Sequence, residues 1–289
     1  MEIKIIDFER FPKILKEIPD PPRRLFVAGS LREDNETMIA IVGTRKASAH
    51  GIKIAETFAR ELSAMGFVVV SGLAMGIDTA AHRGALSGGG KTIAVLGNGL
   101  DKIYPAQNEN LAQKIINQGG GIVSEYESGT PSYKYNFIQR NRIISGLASA
   151  VVIIEAPLRS GALATAGFAA TQGREVFVIP GPVNHPNYGG SHALLRDGAR
   201  LVTSPQDIIE DLGLKNLFGP GIQKTENSLT RQLNNEEMLI LNKIKDYNSP
   251  LNVDKIIKLT KLEPQIVNQT LASLAIRGFI QEVGGSYTI

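Results

Sequence analysis

From Met38 onward, short apolar runs alternate with longer segments whose apolar positions recur every three or four residues. The runs are MIAIVG (38–43), FVVVSG (67–72), TIAVLG (92–97), GIVSE (121–125), AVVIIEA (150–156), VFVIPG (176–181) and RLVT (200–203). The helical segments fall near 49–65, 75–87, 106–118, 137–148, 162–173, 190–197 and 205–212. Runs that are apolar on both faces predict strands buried on both sides. Their alternation with helices predicts an α/β fold, a mostly parallel sheet covered above and below. Right-handed crossovers make that sheet doubly wound. The order of its strands is not written in the sequence.

The flanks have a different texture. Residues 1–37 read as a lead-in, with PDPPRR (19–24) extended or turning because each proline restricts itself and the residue before it. Residues 213–233 carry Gly213, Gly219, Pro220 and Gly221 and read as a linker between a domain at 38–212 and a module at 234–289. In that module NNEEMLILNKIKDY, NVDKIIKLT and EPQIVNQTLASLAIRG predict three helices, the last opened by Pro264 and stopped by Gly278. FIQEVGGSYTI then predicts a hairpin around Gly284-Gly285. Three helices followed by a two-stranded wing is the order of a winged helix.

Composition narrows the function classes. The 289 residues suit one large domain and a small one. There are no cysteines, which excludes disulfides, thiolate metal sites and cysteine nucleophiles. No apolar run approaches the roughly 20 residues that cross a bilayer, and the first residues do not read as a secretory signal. A cytoplasmic protein with no membrane contact is expected. The net charge of +3 is too mild to diagnose nucleic-acid binding, so the placement of the cations matters more than their total. From residue 221 on, eight cations face seven carboxylates, and the third helix, 263–276, carries no Lys or Arg. A duplex reader directs cations onto phosphates and into grooves. The module therefore reads as a protein-interaction or auxiliary element.

Four strand-end turns carry candidate chemistry, because ligands of doubly wound sheets lie beyond the strands' carboxyl ends, where helix N-termini favour anions. VGTRKAS (42–48) offers a tight turn, two hydroxyls and Arg45, whose planar fork suits phosphate. SGLAMGIDTAAHRGAL (71–86) places Asp78 and His82 four apart, a local hydrogen-bonded pair on one helical face. YKYNFIQRNR (133–142) interleaves rings with cations. That segment suits either a solvated amphipathic helix start or a surface for unpaired bases and phosphates. APLRSGALATAGFAATQG (156–173) opens a helix of small residues at Ser160-Gly161, with sheet packing expected for Ala166, Ala169 and Ala170. No catalytic constellation accompanies these turns. Asp78, Asp101, Glu125 and Glu155 show no linking spacing, and the four histidines form no metal-ligand motif. Neither G-x-S-x-G nor a Walker A lysine motif occurs. The expectation is anion binding without catalysis, metal or cofactor.

These turns, in this order, resemble the bacterial DNA-processing protein A family, also called Smf or DprA. The resemblance rests on IVGTRKAS, VVSGLAMGIDTAAHRGAL, TIAVLGNGLDKIYPAQNENL, the long stretch from GGGIVSEYESG to REVFVIPG, and GSHALLRDGARLV, spanning about 38–210. It implies an extended Rossmann-like domain that binds single-stranded DNA, forms a homodimer, and helps load the RecA recombinase on incoming DNA during natural transformation. It places DNA contacts on Gly43, Thr44, Arg45 and Ser48, on Lys134, Phe137, Arg140, Asn141 and Arg142, and on Ser160, Gly161 and Thr165. It also implies a C-terminal winged helix, whereas the short lead-in leaves no room for the helical SAM-like domain of many relatives. With this resemblance the single-strand reading of YKYNFIQRNR outweighs the amphipathic one.

Two rivals share these features. Nucleotide phosphoribohydrolases have a similar sheet, but their P-G-G-x-G-T-x-x-E turn supplies a glutamate where this chain has RSGALATAG. A duplex-binding regulator built on the winged helix conflicts with that module's near-neutral charge.

Overall fold

A computed structural model describes residues 2–31, 36–214, 234–247, 250–276, 279–283 and 285–288. The chain forms two compact units, Met1–Phe218 and Gly219–Ile289.

The first unit is built on nine strands. They are β1 (Ile3–Asp7), β2 (Arg24–Gly29), β3 (Met38–Val42), β4 (Val68–Ser71), β5 (Thr92–Leu96), β6 (Gly121–Ser124), β7 (Ala150–Ile153), β8 (Glu175–Val178) and β9 (Arg200–Leu201). Their order in the sheet is β1-β2-β6-β5-β4-β3-β7-β8-β9. From β6 to β9 all neighbours run parallel, while β2 lies antiparallel to both β6 and β1. All seven strands expected from the apolar runs are present. The lead-in is a correction, because its residues supply β1 and β2 and extend the sheet at one edge. Neither strand is followed by a long helical segment, so the strand–helix rhythm does not mark them. The exposed edge strand β1 also lacks the doubly buried composition of the others.

The helices of this unit are α1 (Lys13–Lys16), α2 (Ala49–Ala64), α3 (Ile77–Ser87), α4 (Glu109–Asn117), α5 (Lys134–Leu147), α6 (Gly161–Thr171), α7 (Gly189–Arg196) and α8 (Pro205–Asp211). Successive side chains of a strand point to opposite faces, and β3 shows how the layers form. Met38, Ala40 and Val42 belong to a core with Leu15 of α1, Ile143 and Leu147 of α5, and Ala162 and Ala166 of α6. Ile39 and Ile41 pack instead with Ala55 and Phe58 of α2, Ile77 and Ala81 of α3, and Ile208 of α8. Further along the sheet Ala94 and Leu96 meet Leu111 and Ile115 of α4. Each buried Val, Ile or Leu contributes roughly 1.5–3 kcal/mol, so strands sealed on both faces anchor the unit. Ala166 and Ala169 pack on the sheet as expected, but Ala170 is exposed. No helix among the described residues is long and apolar enough to cross a membrane.

The second unit contains α9 (Asn235–Tyr247), β10 (Leu251–Asn252), α10 (Val253–Thr260), α11 (Pro264–Ile276), β11 (Gln281–Val283) and β12 (Ser286–Thr288). The expected order of three helices and a hairpin is present, and β10 adds a strand to give the sheet order β10-β12-β11. Ile240, Ile244, Ile256, Val267, Leu271 and Leu274 fill its core. Asn234 and Glu237 cap α9 reciprocally, each side chain accepting from the other's backbone N–H at 2.8 and 2.9 Å. Most of the expected linker, 215–233, lies outside the described residues.

Two glycine substitutions test this packing. A methyl at Gly84 of α3 would run into the Glu56 carbonyl and the Ala59 methyl of α2, so Gly84→Val should lower stability by about 1–3 kcal/mol. Gly167, exposed within α6 with open space beside it, should gain roughly 0.4–1 kcal/mol as Gly167→Ala. Urea unfolding followed by circular dichroism reads both; a tolerated valine at 84 would mean that α2 and α3 are not in close contact.

Candidate functional site

The strand order reverses between β3 and β7. The chain leaves β3 for α2 on one face and leaves β7 for α6 on the other. Neither connection can close over the gap, and a crevice remains beyond the strands' carboxyl ends. It holds a cavity of about 560 Å³. Its walls are the turn after β3, the start of α3, one face of α5 and the start of α6.

The α5 wall shows how spacing becomes a surface. The helix begins at Lys134, one turn before the expected 137, so the basic-aromatic segment is helical from Lys134 on, with Tyr133 as its extended N-cap. Lys134, Phe137, Ile138 and Asn141 then fall at i, i+3, i+4 and i+7 and line the cavity together. Tyr133 and Tyr135 are exposed. The half-buried Phe137 ring packs against Tyr104, centroids 5.3 Å apart, and the Arg45 guanidinium sits 5.3 Å from its centroid. Arg45 and Lys134 thus line one cavity although 88 residues separate them in sequence.

The three neighbours 140–142 go to three destinations. Arg140 is 3% exposed; its guanidinium donates to the carbonyls of Gly72, at 2.7 Å, and of Val95, beyond β4 and within β5. Only glycine at 72 leaves room, since a Cβ there would strike the guanidinium. Asn141 accepts from Arg140 Nε at 3.2 Å and donates to the Gly161 carbonyl at 3.1 Å, tying α5 to α6. Arg142 turns away from the cavity. It makes a bidentate pair with Glu125 at 3.0 and 2.7 Å and donates to Asp20 at 2.9 Å.

The turn after β3 is held by Glu155, a fully buried residue following β7. Its carbonyl accepts from Thr44 N at 2.8 Å. Its carboxylate accepts from Ser48 N at 3.0 Å, from the Ser48 hydroxyl and from Asn187 Nδ2 at 2.9 Å. Burial acts to raise the pKa of Glu155, but the bonds from Ser48 and Asn187 outweigh it and hold the carboxyl below its usual range. Ser48 also caps α2 through Gly51 N and lies outside the cavity lining. Gly76 crosses behind this turn with φ +81°, where a Cβ would strike the Thr44 and Arg45 carbonyls. Gly43, Thr44 and Arg45 face the cavity.

At the opposite wall Ser160 caps α6, its hydroxyl accepting from Ala162 N at 3.1 Å. Thr165 is 1% exposed and donates back to the Gly161 carbonyl at 3.3 Å. Both are committed to shaping the wall. Nothing crowds the space above Gly161, and the exposed Arg159 stands beside it. Arg159 and Tyr104 also line the cavity and were not singled out by sequence. Arg159 lies one residue before Ser160, within a turn already marked as anion-binding. Tyr104 carries no local signal beyond its place in DKIYPAQNENL.

Ten of the twelve candidate residues line the cavity, and Ser48 and Arg142 do not. Among the described residues no ion pair involves Arg45, Lys134 or Arg159. These three cations face a single carboxylate in the lining, Asp78, which is 7% exposed. Burial raises the Asp78 pKa, with Arg140 opposing. Burial likewise pulls Arg140 down to about 10, with Asp78 opposing, which still leaves it charged at neutral pH. The cavity therefore carries a positive field in a partly desolvated setting, where charge acts more strongly than in open water. No cluster of His, Cys, Asp and Glu that could hold a metal occurs among the described residues.

The expected Asp78–His82 pair is absent. Asp78 accepts from Ala74 N at 3.3 Å, while His82 Nδ1 lies 2.8 Å from the Thr92 hydroxyl. That hydroxyl donates to the Val69 carbonyl at 2.6 Å, so it accepts from His82 and fixes the Nδ1–H tautomer. Four-residue spacing brought the two side chains to one side of α3, but each found a closer partner outside its own helix.

Residues 2–213 match the family model for DNA recombination-mediator protein A. Protein Smf of Escherichia coli is 40% identical over 285 residues, covering 97% of this chain and 75% of the relative. DNA processing protein DprA of Streptococcus pneumoniae is 43% identical over 215 residues, covering 71% and 76%. The X-ray structure of the pneumococcal protein aligns with a TM-score of 0.68 over 73% of this chain and 74% of its own. DNA processing protein A of Helicobacter pylori, whose structure gave insight into its single-stranded DNA binding mode, aligns with a TM-score of 0.67 at 34% identity. That match covers 74% of this chain and 97% of the relative.

The buried histidine generates a pH prediction. Burial, reinforced by Arg140, lowers the His82 pKa from 6.5 to about 3. Between those values the unfolded chain binds a proton that the folded chain refuses, so stability falls as pH drops through this window. From pH 7 to 5 the loss should be about 2 kcal/mol. His82→Asn, which keeps a donor toward Thr92, should flatten that dependence in urea titrations at the two pH values. An unchanged pH dependence in the variant would exclude His82 as its source.

Proposed function

This chain belongs to the DNA recombination-mediator protein A family, and on that premise we propose that it grips single-stranded DNA in the crevice between β3 and β7. One observation carries the reading: Arg45, Lys134 and Arg159, unpaired among the described residues, surround one cavity with Phe137 and Tyr104. A single strand presents phosphates and open base faces together, and this wall offers a counterpart to each. The volume of about 560 Å³ suits one nucleotide and its flanking phosphates. Stacking on a ring contributes about 1–3 kcal/mol per base without choosing among bases, which suits a mediator acting on DNA of any sequence.

The chemistry is binding and handover. Asp78 is the only carboxylate in the cavity lining, with no second acid or base to share a proton transfer. Handover to RecA and action as a homodimer are proposed from the family resemblance. The element order of the second unit supports a winged helix, and its near-neutral charge supports an auxiliary role rather than duplex reading.

Of the twelve residues proposed from sequence, we assign direct DNA contact to Arg45, Lys134, Phe137 and the open backbone at Gly161. Gly43, Thr44, Arg140, Asn141, Ser160 and Thr165 shape the crevice, and Ser48 and Arg142 support it from outside. Arg45→Ala and Lys134→Ala should each weaken oligothymidine binding about tenfold or more, as loss of a charge-assisted hydrogen bond does. Each loss should also lower the salt dependence by about 0.7 log units per tenfold salt. Arg142→Ala should reduce stability while leaving the affinity of the folded protein within about threefold, because it removes the partner of Glu125. Fluorescence anisotropy at fixed salt, with single strand and duplex titrated side by side, reads all three. Wild-type affinity in both Arg45→Ala and Lys134→Ala would remove the proposed site.

A further inference from the structure

Phe137 and Arg45 also border a second, smaller hollow of about 70 Å³. It shares Tyr104 with the main cavity and adds Met75 and Pro105. The two aromatic rings here differ in what they present. Phe137 is half-buried, with the Arg45 guanidinium 5.3 Å from its centroid and Tyr104 tilted 39° against it. Tyr104 is 45% exposed, and Met75 beside it is 46% exposed. The open aromatic surface at this place therefore belongs to Tyr104, with Phe137 as its inner backing. A solvent-facing tyrosine next to an equally open methionine is an apolar pair left uncovered beside a cationic cavity. Methionine, unbranched and polarisable, adapts to flat aromatic partners.

We propose that Tyr104, Met75 and Pro105 form a second nucleobase subsite, which takes the base adjoining the nucleotide held in the main cavity. This rests on the reading of the crevice as a single-strand site. The hollow is far smaller than the roughly 300 Å³ at which ligand pockets begin, so it does not enclose a nucleotide. It offers a face on which an unpaired base lies, and a base has such a face whatever its identity. Two adjacent subsites sharing the Phe137–Arg45 wall make the protein respond to a strand rather than to a free nucleotide. Arg45, placed between them, is positioned to meet the phosphate that joins the two nucleosides.

The chain contains no tryptophan, so Tyr104→Trp creates a single reporter at the subsite. Its emission should be quenched when oligothymidine binds, with saturation matching that seen by anisotropy. Tyr104→Leu keeps apolar bulk against Phe137 but removes the ring; its affinity should fall by between about fivefold and about 150-fold, the range of one lost stack. Its salt dependence should stay that of the wild type, since no phosphate contact is removed. Unchanged tryptophan emission at saturation, or wild-type affinity in Tyr104→Leu, would overturn the second subsite. So would a weakened Tyr104→Leu with a reduced salt dependence, which would mean that the substitution acts by displacing Arg45. If Arg45→Ala and Lys134→Ala remain weakened in any of these cases, the main site stands without the second. If the wild type binds no oligothymidine, the reading of the crevice fails instead.

Discussion

An open parallel sheet must be covered on both faces, and with right-handed crossovers a single chain does this by reversing the direction in which it adds strands. Here the reversal falls between β3 and β7. At that point the chain departs to opposite faces, and no backbone connection spans the strand ends. The crevice is thus a consequence of burying Val- and Ile-rich strands from both sides. What varies is the set of side chains that line it, and in this protein they are cations and rings.

Holding that lining in place requires polar groups inside the fold, each answered by a partner. Glu155 gathers the turn after β3 and the segment around Asn187 onto one carboxylate. Arg140 is desolvated, but it meets strand-end carbonyls and lies near Asp78. A buried charge left without such partners would cost several kcal/mol. Because these groups are satisfied by the protein itself, Arg45, Lys134 and Arg159 can remain free for something outside it. Structural charges and cavity-facing charges are thereby separated within a few residues of one another.

This arrangement suits reversible binding. The α5 face offers its contacts along one side of a regular helix, fixed by the packing of Ile143, Ile144 and Leu147 behind it. A strand meeting such a surface does not have to order it, so less of the contact energy is lost to reorganisation. On the proposed reading, the cationic contacts would give long-range attraction that salt attenuates, whereas stacking on Phe137 and Tyr104 would be short-ranged and largely indifferent to salt.

Much of this was legible in the sequence. Apolar runs separated by helical segments determined all seven parallel strands and their helices, because burial on both faces demands that composition wherever the strands sit. The glycine- and hydroxyl-bearing turns, and the Lys134–Arg142 segment, marked the strand ends that meet in the crevice. The sequence did not reveal β1 and β2, because β2 joins the sheet through β6, more than 90 residues away, and β1 joins it only by pairing with β2, so neither follows from local rhythm. Nor did it show that Arg140 turns inward, that Arg142 pairs with Glu125 and Asp20, or that His82 prefers Thr92 to Asp78. Local composition limits which groups can bond. Only the folded chain decides which of them lie within 3 Å of one another, because strand order and helix rotation are set by packing summed over the whole core.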